Sequence, residues 1–354
     1  MKKLLSLFCV LALCTALFAG CASPNQDGGS GDISDSGAGT SQAGTVDDVP
    51  TADPVNVRIA ALKGPTAMGM VQFMDQADSG VLTDNNYTFS IAAAIDEVTP
   101  MLAKGELDIA AMPANVSSVL YNNNSAGFQV LAINTLGVLY IVESGNTVQS
   151  MEDLRGKTIY ASGKGATPEY ALNYILSANG IDPTADVTIE WKSEHAECLS
   201  ALMAQENAIA MLPQPFVTTA QTKSDQIRVA LDLTQEWDAL QEGNETPSAL
   251  ITGVVVARRE FVEQNPDAVS AFLDHYKTSV EYVNSHTDEA AQLVGQYKIV
   301  TAEVAEKALP ACNITFIEGK EMQEKLSGYL AVLFEQNPRS IGGALPGDDF
   351  YFSR

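Results

Sequence analysis

His195 and Cys198 stand three residues apart, a spacing that places both on one helix face. An imidazole and a thiol so placed serve as two metal ligands or as a nucleophile beside its base. A metal site needs a third and fourth ligand at comparable spacing, yet His275 and His286 are the only other histidines. No G-x-S-x-G, C-x-x-C, H-E-x-x-H or G-x-x-x-x-G-K-[ST] motif accompanies the pair. It reads as a surface histidine beside a buried cysteine. The sequence predicts no enzyme, no bound metal and no cofactor.

Strand-to-helix turns offer different chemistry, because a helix N-terminus leaves amides without intrahelical acceptors and suits an anionic or acceptor-rich ligand. Four such turns are predicted. Lys63-Gly64-Pro65-Thr66-Ala67 joins a glycine that permits close backbone approach to a proline suited to a first helical turn. Pro113-Ala114-Asn115 is the second. In the third, Ser162-Gly163-Lys164-Gly165-Ala166-Thr167-Pro168, the glycines expose amides, Thr167 is the expected N-cap and Pro168 the first helical residue. The fourth is Pro213-Gln214-Pro215-Phe216, whose Gln214 is neutral and both donates and accepts. Each satisfies plain turn chemistry alone; their equivalent placement makes them candidate ligand contacts. Asp96-Glu97 follows another strand, and its carboxylates disfavour an anion, so Glu97 joins the candidates. Tyr140, Tyr160, Tyr170, Trp191 and Phe216 are the aromatic rings available to stack on a planar ligand.

Holding those turns requires alternating strands and helices. Val57–Leu62, Tyr87–Ala94 and Ile109–Met112 read as strands, separated and followed by helices over Pro65–Gln76, Thr99–Gly105 and Val116–Tyr121. The series repeats with strands Thr158–Ala161, Val187–Trp191 and Ile209–Leu212 and helices Pro168–Ala178 and Ala196–Ala204. At an ungapped offset of 100 residues, Ile59 falls on Ile159, Gly80 on Gly180, Glu97 on Glu197, Ile109 on Ile209 and Pro113 on Pro213. Two lobes built from one βαβαβ unit are the expectation, with a site between them beyond the strand tips.

Composition narrows the class further. The chain carries 44 acidic against 20 basic residues, a formal charge of −24, which disfavours nucleic acid and anionic membrane surfaces as partners. Lys2 and Lys3 precede the apolar run Leu4–Leu17, which is too short to span a bilayer. Leu17-Phe18-Ala19-Gly20-Cys21 resembles a lipobox, implying a signal peptide over residues 1–20 and an acylated Cys21. Residues 21–54 are rich in Gly, Ser and Asp and poor in large apolar groups, and read as a flexible tether. Cys198 and Cys312 beyond it are either a pair or two buried thiols.

Taken together the chain resembles the extracytoplasmic solute-binding lipoproteins of ABC importers, in the nitrate, sulfonate, taurine and thiamine-precursor branch. The likeness rests on Leu102–Asp108, on Leu154-Arg155-Gly156-Lys157-Thr158-Ile159 before the Gly-rich turn, on Pro213-Gln214-Pro215-Phe216, on Phe261–Pro266 and on the tail Asn337–Tyr351. It implies an α/β, two-lobed type II periplasmic-binding-protein fold with two crossover strands, for which Ile133–Val142 and Ala249–Ala257 are the candidates. Lobe 1 would comprise residues 55–134 and 253–354, and lobe 2 residues 135–252. The implied partners are a small-molecule ligand, an ABC permease and its ATPase, and, through Cys21, the outer face of the membrane of a Gram-positive cell. Asp96, Glu97 and Gln214 lean the ligand toward a small neutral or weakly basic planar compound such as a vitamin precursor, with a sulfonate or taurine-like anion next. An enzyme on the same two-lobed fold and a surface adhesin or scaffolding lipoprotein are the competing classes.

Overall fold

A computed structural model describes residues 53–124, 127–243 and 248–354. The signal peptide, Cys21 and almost all of the tether lie outside the described residues, and no described helix is long and apolar enough to cross a membrane.

Residues Ala52–Arg354 form one compact unit containing two sheets. In chain order its first part runs β1 (Asn56–Leu62), α1 (Pro65–Met68), α2 (Val71–Asp78), β2 (Asn86–Ala92), α3 (Ile95–Ala103), β3 (Ile109–Pro113), α4 (Ala114–Asn123) and β4 (Phe128–Leu136). Next come β5 (Leu139–Ser144), β6 (Thr158–Ser162), α5 (Thr167–Ala178), β7 (Thr188–Lys192), α6 (His195–Ala204), β8 (Ile209–Pro213), α7 (Phe216–Lys223), β9 (Ile227–Asp232) and α8 (Leu233–Gln241). The chain then passes through β10 (Ile251–Arg258), α9 (Arg259–Gln264), α10 (Pro266–Ser285), α11 (Thr287–Gln296), α12 (Ala302–Ala308), β11 (Ile314–Ile317) and α13 (Gly319–Gln336).

The first sheet has the order β11-β4-β10-β3-β1-β2 and the second β7-β6-β8-β5-β9. Each has a parallel three-stranded heart flanked by an antiparallel strand, β10 in one and β5 in the other. The 100-residue repeat is visible in the registers. Arg58 pairs with Thr88 and Ile59 with Ile109 in the first sheet, and Thr158 pairs with Thr188 and Ile159 with Ile209 in the second. Apolar side chains alternate between buried faces, as parallel strands covered on both sides require. Ile59 and Ala61 enter a core with α2 and α10, while Ala60 enters another. That second core is shared by both sheets, since α13 residues Tyr329, Leu330 and Leu333 join it with Tyr170 of α5 and Trp237 of α8. Rings of Trp237 and Tyr329 lie 5.7 Å apart.

Several boundaries depart from the sequence reading for local reasons. The helix expected over Pro65–Gln76 is two helices broken at Gly69 and Met70; a Cβ on Gly69 would lie 2.9 Å from Ile314 Cγ2, so a side chain there requires the Ile314 methyl to shift. The helix expected from Thr99 begins at Ile95, where Glu97 Oε1 accepts the Ala94 amide at 3.0 Å. Ala166, not Thr167, is the N-cap of α5. The run Ile133–Val142 is divided between β4 and β5 by Gly137 and Val138. Cys198 and Cys312 are both free and buried.

Candidate functional site

The carboxyl ends of the strands from both sheets open onto one cleft of about 810 Å³. Lys63 and Gly64 reach it from the turn after β1, and Ala93 from the turn after β2. The second sheet contributes Ser162, Gly163, Ala166 and Pro168 after β6, Ser193 to Ala196 after β7, and Pro215, Phe216 and Thr219 after β8. Ile299 and Val300, between α11 and α12, close it from the first sheet's side. The N-termini of α5, α6 and α7 therefore meet in one place; of their first-turn amides, those of Glu169, Glu197 and Thr218 are taken up by Ala166 O, Glu194 O and Gln214 Oε1, and the earliest ones lack an i−4 acceptor. Gly163 makes its turn sterically obligatory: φ is +85°, and a Cβ there would lie 2.8 Å from Pro168 Cγ.

At the mouth of α6, His195 is held from both sides. Its Nδ1 lies 2.5 Å from Ser162 Oγ, and its ring sits 5.0 Å from that of Phe216 at a tilt of 51°. Burial pushes the imidazole below its ordinary value near 6.5. One turn on, Cys198 is buried beneath the helix, and burial raises its pKa. The expected buried cysteine is there, but the histidine faces the cleft and not the outer surface.

Of the candidate contacts, Lys63, Gly64, Gly163, Ala166 and Pro215 line the cleft. The rest lie around or beneath it. Pro65 opens α1, Ala67 is buried, and the Thr66 hydroxyl donates to Leu62 O at 2.7 Å. Pro113 is the N-cap of α4, and Ala114 and Asn115 are buried. Asn115 Nδ2 donates to Ser340 O at 3.2 Å, and its Oδ1 accepts from Thr167 Oγ1 at 3.1 Å. Lys164 and Gly165 are exposed, with the Gly165 amide on Glu169 Oε2. Gln214 is buried with Oε1 accepting from Thr218 Oγ1 at 2.9 Å. Glu97 turns back onto its own helix, so its carboxylate is engaged away from the cleft lining.

Ser193, Glu194, Thr219, Ile299 and Val300 line the cleft without having been singled out, and His195, read as a surface residue, joins them. The repeat held the signal for one group of them: the turn after β7 is the counterpart of the turn after β2, and Ser193 N donates to Glu197 as Ala94 N does to Glu97. Ile299 and Val300 carry no local signal, because they come from a loop 80 positions beyond Thr219, the nearest other lining residue in sequence.

Among the described residues no cluster of His, Cys, Asp and Glu suits a metal ion. The arrangement is one of donors, the Glu194 carboxylate and apolar walls, suited to holding a small molecule.

Comparison with known proteins agrees with this geometry. No curated protein matches the chain. Among solved structures, an ABC transporter protein from Parabacteroides distasonis superposes with a TM-score of 0.71 at 20% identity, covering 86% of this chain and 100% of that one. The periplasmic aliphatic sulphonate binding protein of Escherichia coli gives 0.67 at 15% identity, covering 85% and 92%. The alkanesulfonate-binding protein of Xanthomonas axonopodis pv. citri bound to MOPS gives 0.58 at 14%, covering 84% and 96%. These likenesses establish the periplasmic-binding-protein fold. The family profile described as ABC transporter, phosphonate, periplasmic substrate-binding protein matches residues 83–308, most of both sheets. The chain belongs to that family of periplasmic substrate-binding proteins, which serve ABC importers.

Proposed function

We propose that this protein captures a small organic oxyanion, a phosphonate or sulfonate, in the cleft between its two sheets, and performs no chemistry on it. One observation carries the reading: α5, α6 and α7 all begin at the cleft, alongside Lys63, Ser193 and His195. Backbone amides at helix starts favour negative charge, and a lysine and an imidazole add to that preference. Phe216, Ile299, Val300 and Pro168 form an apolar wall for the organic substituent. The sulfonate binders among the similar structures support the same class. The lean toward a neutral planar ligand drew on Asp96, Glu97 and Gln214, none of which lines the cleft: Glu97 caps α3 and Gln214 is bound to Thr218, while Glu194 is the carboxylate in the lining.

On this reading lobe 1 spans residues 55–134 and 253–354, lobe 2 spans 135–252, and ligand contact with both shifts the molecule toward a closed form that the permease engages. The protein is tethered outside the cell by a lipid on Cys21. Mass spectrometry of the mature protein from its native membrane should find an acylated Cys21 at the N-terminus; an unmodified residue there removes the anchor.

A thermal-shift panel of alkylphosphonates, alkanesulfonates, nitrate, aminopyrimidines and flavins tests the ligand class. A ligand at a hundred times its Kd adds about 2.7 kcal/mol. An oxyanion should give the largest shift. A shift with aminopyrimidines and none with any oxyanion overturns the reading.

A further inference from the structure

Ser162 is almost fully buried at the end of β6, yet its hydroxyl lies 2.5 Å from a titratable group, His195 Nδ1. A hydroxyl both donates and accepts, so it can serve an imidazole in either charge state. We propose that Ser162 is a positioning residue that aims His195 Nε2 into the cleft and lets the ring take up a proton when an oxyanion binds. The proposal rests on the oxyanion reading of the same site.

In the empty cleft the neutral ring accepts the Ser162 O–H at Nδ1 and carries its own proton on Nε2, pointed away from Ser162. Burial favours this uncharged form. An anion in the cleft reverses the balance, since an opposite charge nearby stabilises imidazolium. A proton from solvent then adds to Nδ1. Nδ1–H donates to Ser162 Oγ, and the Ser162 hydroxyl turns its own hydrogen away from the ring. No bond to carbon changes and no electrons move. The charged and titratable groups around the ring are few. Lys63 lines the same cleft from the turn after β1, Glu194 precedes His195, and behind it Lys192 acts on the Cys198 thiol. The neighbours from α5 and α7, Ala166, Pro168, Phe216 and Thr219, do not titrate at neutral pH. Tilted contact with Phe216 keeps the ring in place through both states.

Two measurements test this. Long-range ¹H–¹⁵N NMR of the full folded chain reports the tautomer of each imidazole, and three histidines make assignment by substitution simple. The ligand-free protein should show His195 as the Nε2–H tautomer, mixed in Ser162→Ala and restored in Ser162→Thr; a Nδ1–H tautomer in the wild type overturns the positioning role. Calorimetric titration with ethanesulfonate, whose charge is fixed over this range, in buffers of different ionisation enthalpy at pH 7.5 counts protons. Uptake approaching one per site is expected, with a marked fall in Ser162→Ala and recovery in Ser162→Thr. Tight binding with no uptake overturns proton coupling while leaving the ligand class intact. Failure of every sulfonate and phosphonate to bind overturns the ligand class and the coupling with it, and the tautomer measurement still decides the role of Ser162. A serine that merely fills space would lower affinity equally at every pH and leave the tautomer unchanged.

Discussion

The hydroxyl of Thr167, at the start of α5 beneath the second sheet's Gly-rich turn, donates to Asn115 Oδ1 in α4 of the first sheet at 3.1 Å, and both residues are about 5% exposed. The hydrogen bond thus joins the two halves of the molecule at the base of the cleft. Gln336 Nε2 on Tyr170 O at 3.0 Å and Asn337 Nδ2 on Tyr170 Oη at 3.2 Å continue the same seam.

Thr167→Val removes this donor and strands a buried acceptor on Asn115. A loss of about 1–3 kcal/mol is expected, the cost of an unsatisfied buried polar group. Denaturant unfolding measures it. A change below 0.5 kcal/mol, taken as a rough threshold for surface substitutions, would show that the contact is not maintained in solution.

Glu97→Ala should lower stability by about 0.5–2 kcal/mol, the usual range for a lost helix cap, without altering ligand affinity. The reason is that Glu97 Oε1 is bound to the Ala94 amide at the start of its own helix. A variant that binds an alkanesulfonate tenfold more tightly, on the order of the effect of removing a facing charge, would return Glu97 to the site.

Lys63 is the cationic side chain among the described residues of the cleft lining other than the titratable His195. Lys63→Gln should weaken oxyanion binding by roughly tenfold and flatten its dependence on salt, because a fixed positive charge is removed from a partly desolvated site. Affinity measured at two ionic strengths checks both effects; unchanged affinity at low salt would place the ammonium in bulk solvent.

Asp108 is buried at the start of β3 between Arg58 and Arg258, whose guanidinium groups approach its Oδ1 at 2.7 and 2.9 Å. Burial alone would raise its pKa; the hydrogen bonds from Arg58 and Arg258 outweigh that and hold it below the usual 3.8. A carboxylate whose pKa is depressed by folding contributes its stability above the unfolded value, and loses it as pH falls through the folded one. Asp108→Asn should therefore cost about 3–5 kcal/mol at neutral pH, the range for breaking a buried pair, and the deficit should narrow only below the usual aspartate range. Chemical unfolding at pH 7 and pH 3 compares the full contribution with a partly lost one, and an equal deficit at both would count against this linkage.

How far residues alone lead can be judged turn by turn. Gly163 and Pro168 announce a strand-to-helix turn, and the structure has one there. Thr167 looks like its N-cap because threonine commonly caps, but tertiary packing recruits the hydroxyl to Asn115 and leaves the cap to Ala166. Asp96-Glu97 looks like acidic lining, but in the fold Glu97 caps its own helix.

What the sequence determined by itself was the order of elements, the internal duplication and the family, because apolar periodicity, turn residues and a 100-residue offset are local or pairwise properties of the chain. Tertiary structure decided which of the candidate turns reach the cleft and which other side chains join them. His195 and Ser162 lie 33 positions apart, and Val300 joins them from the far end of the chain. Their proximity depends on how two sheets close on a shared core, a sum of many weak packing terms that no short window of residues contains.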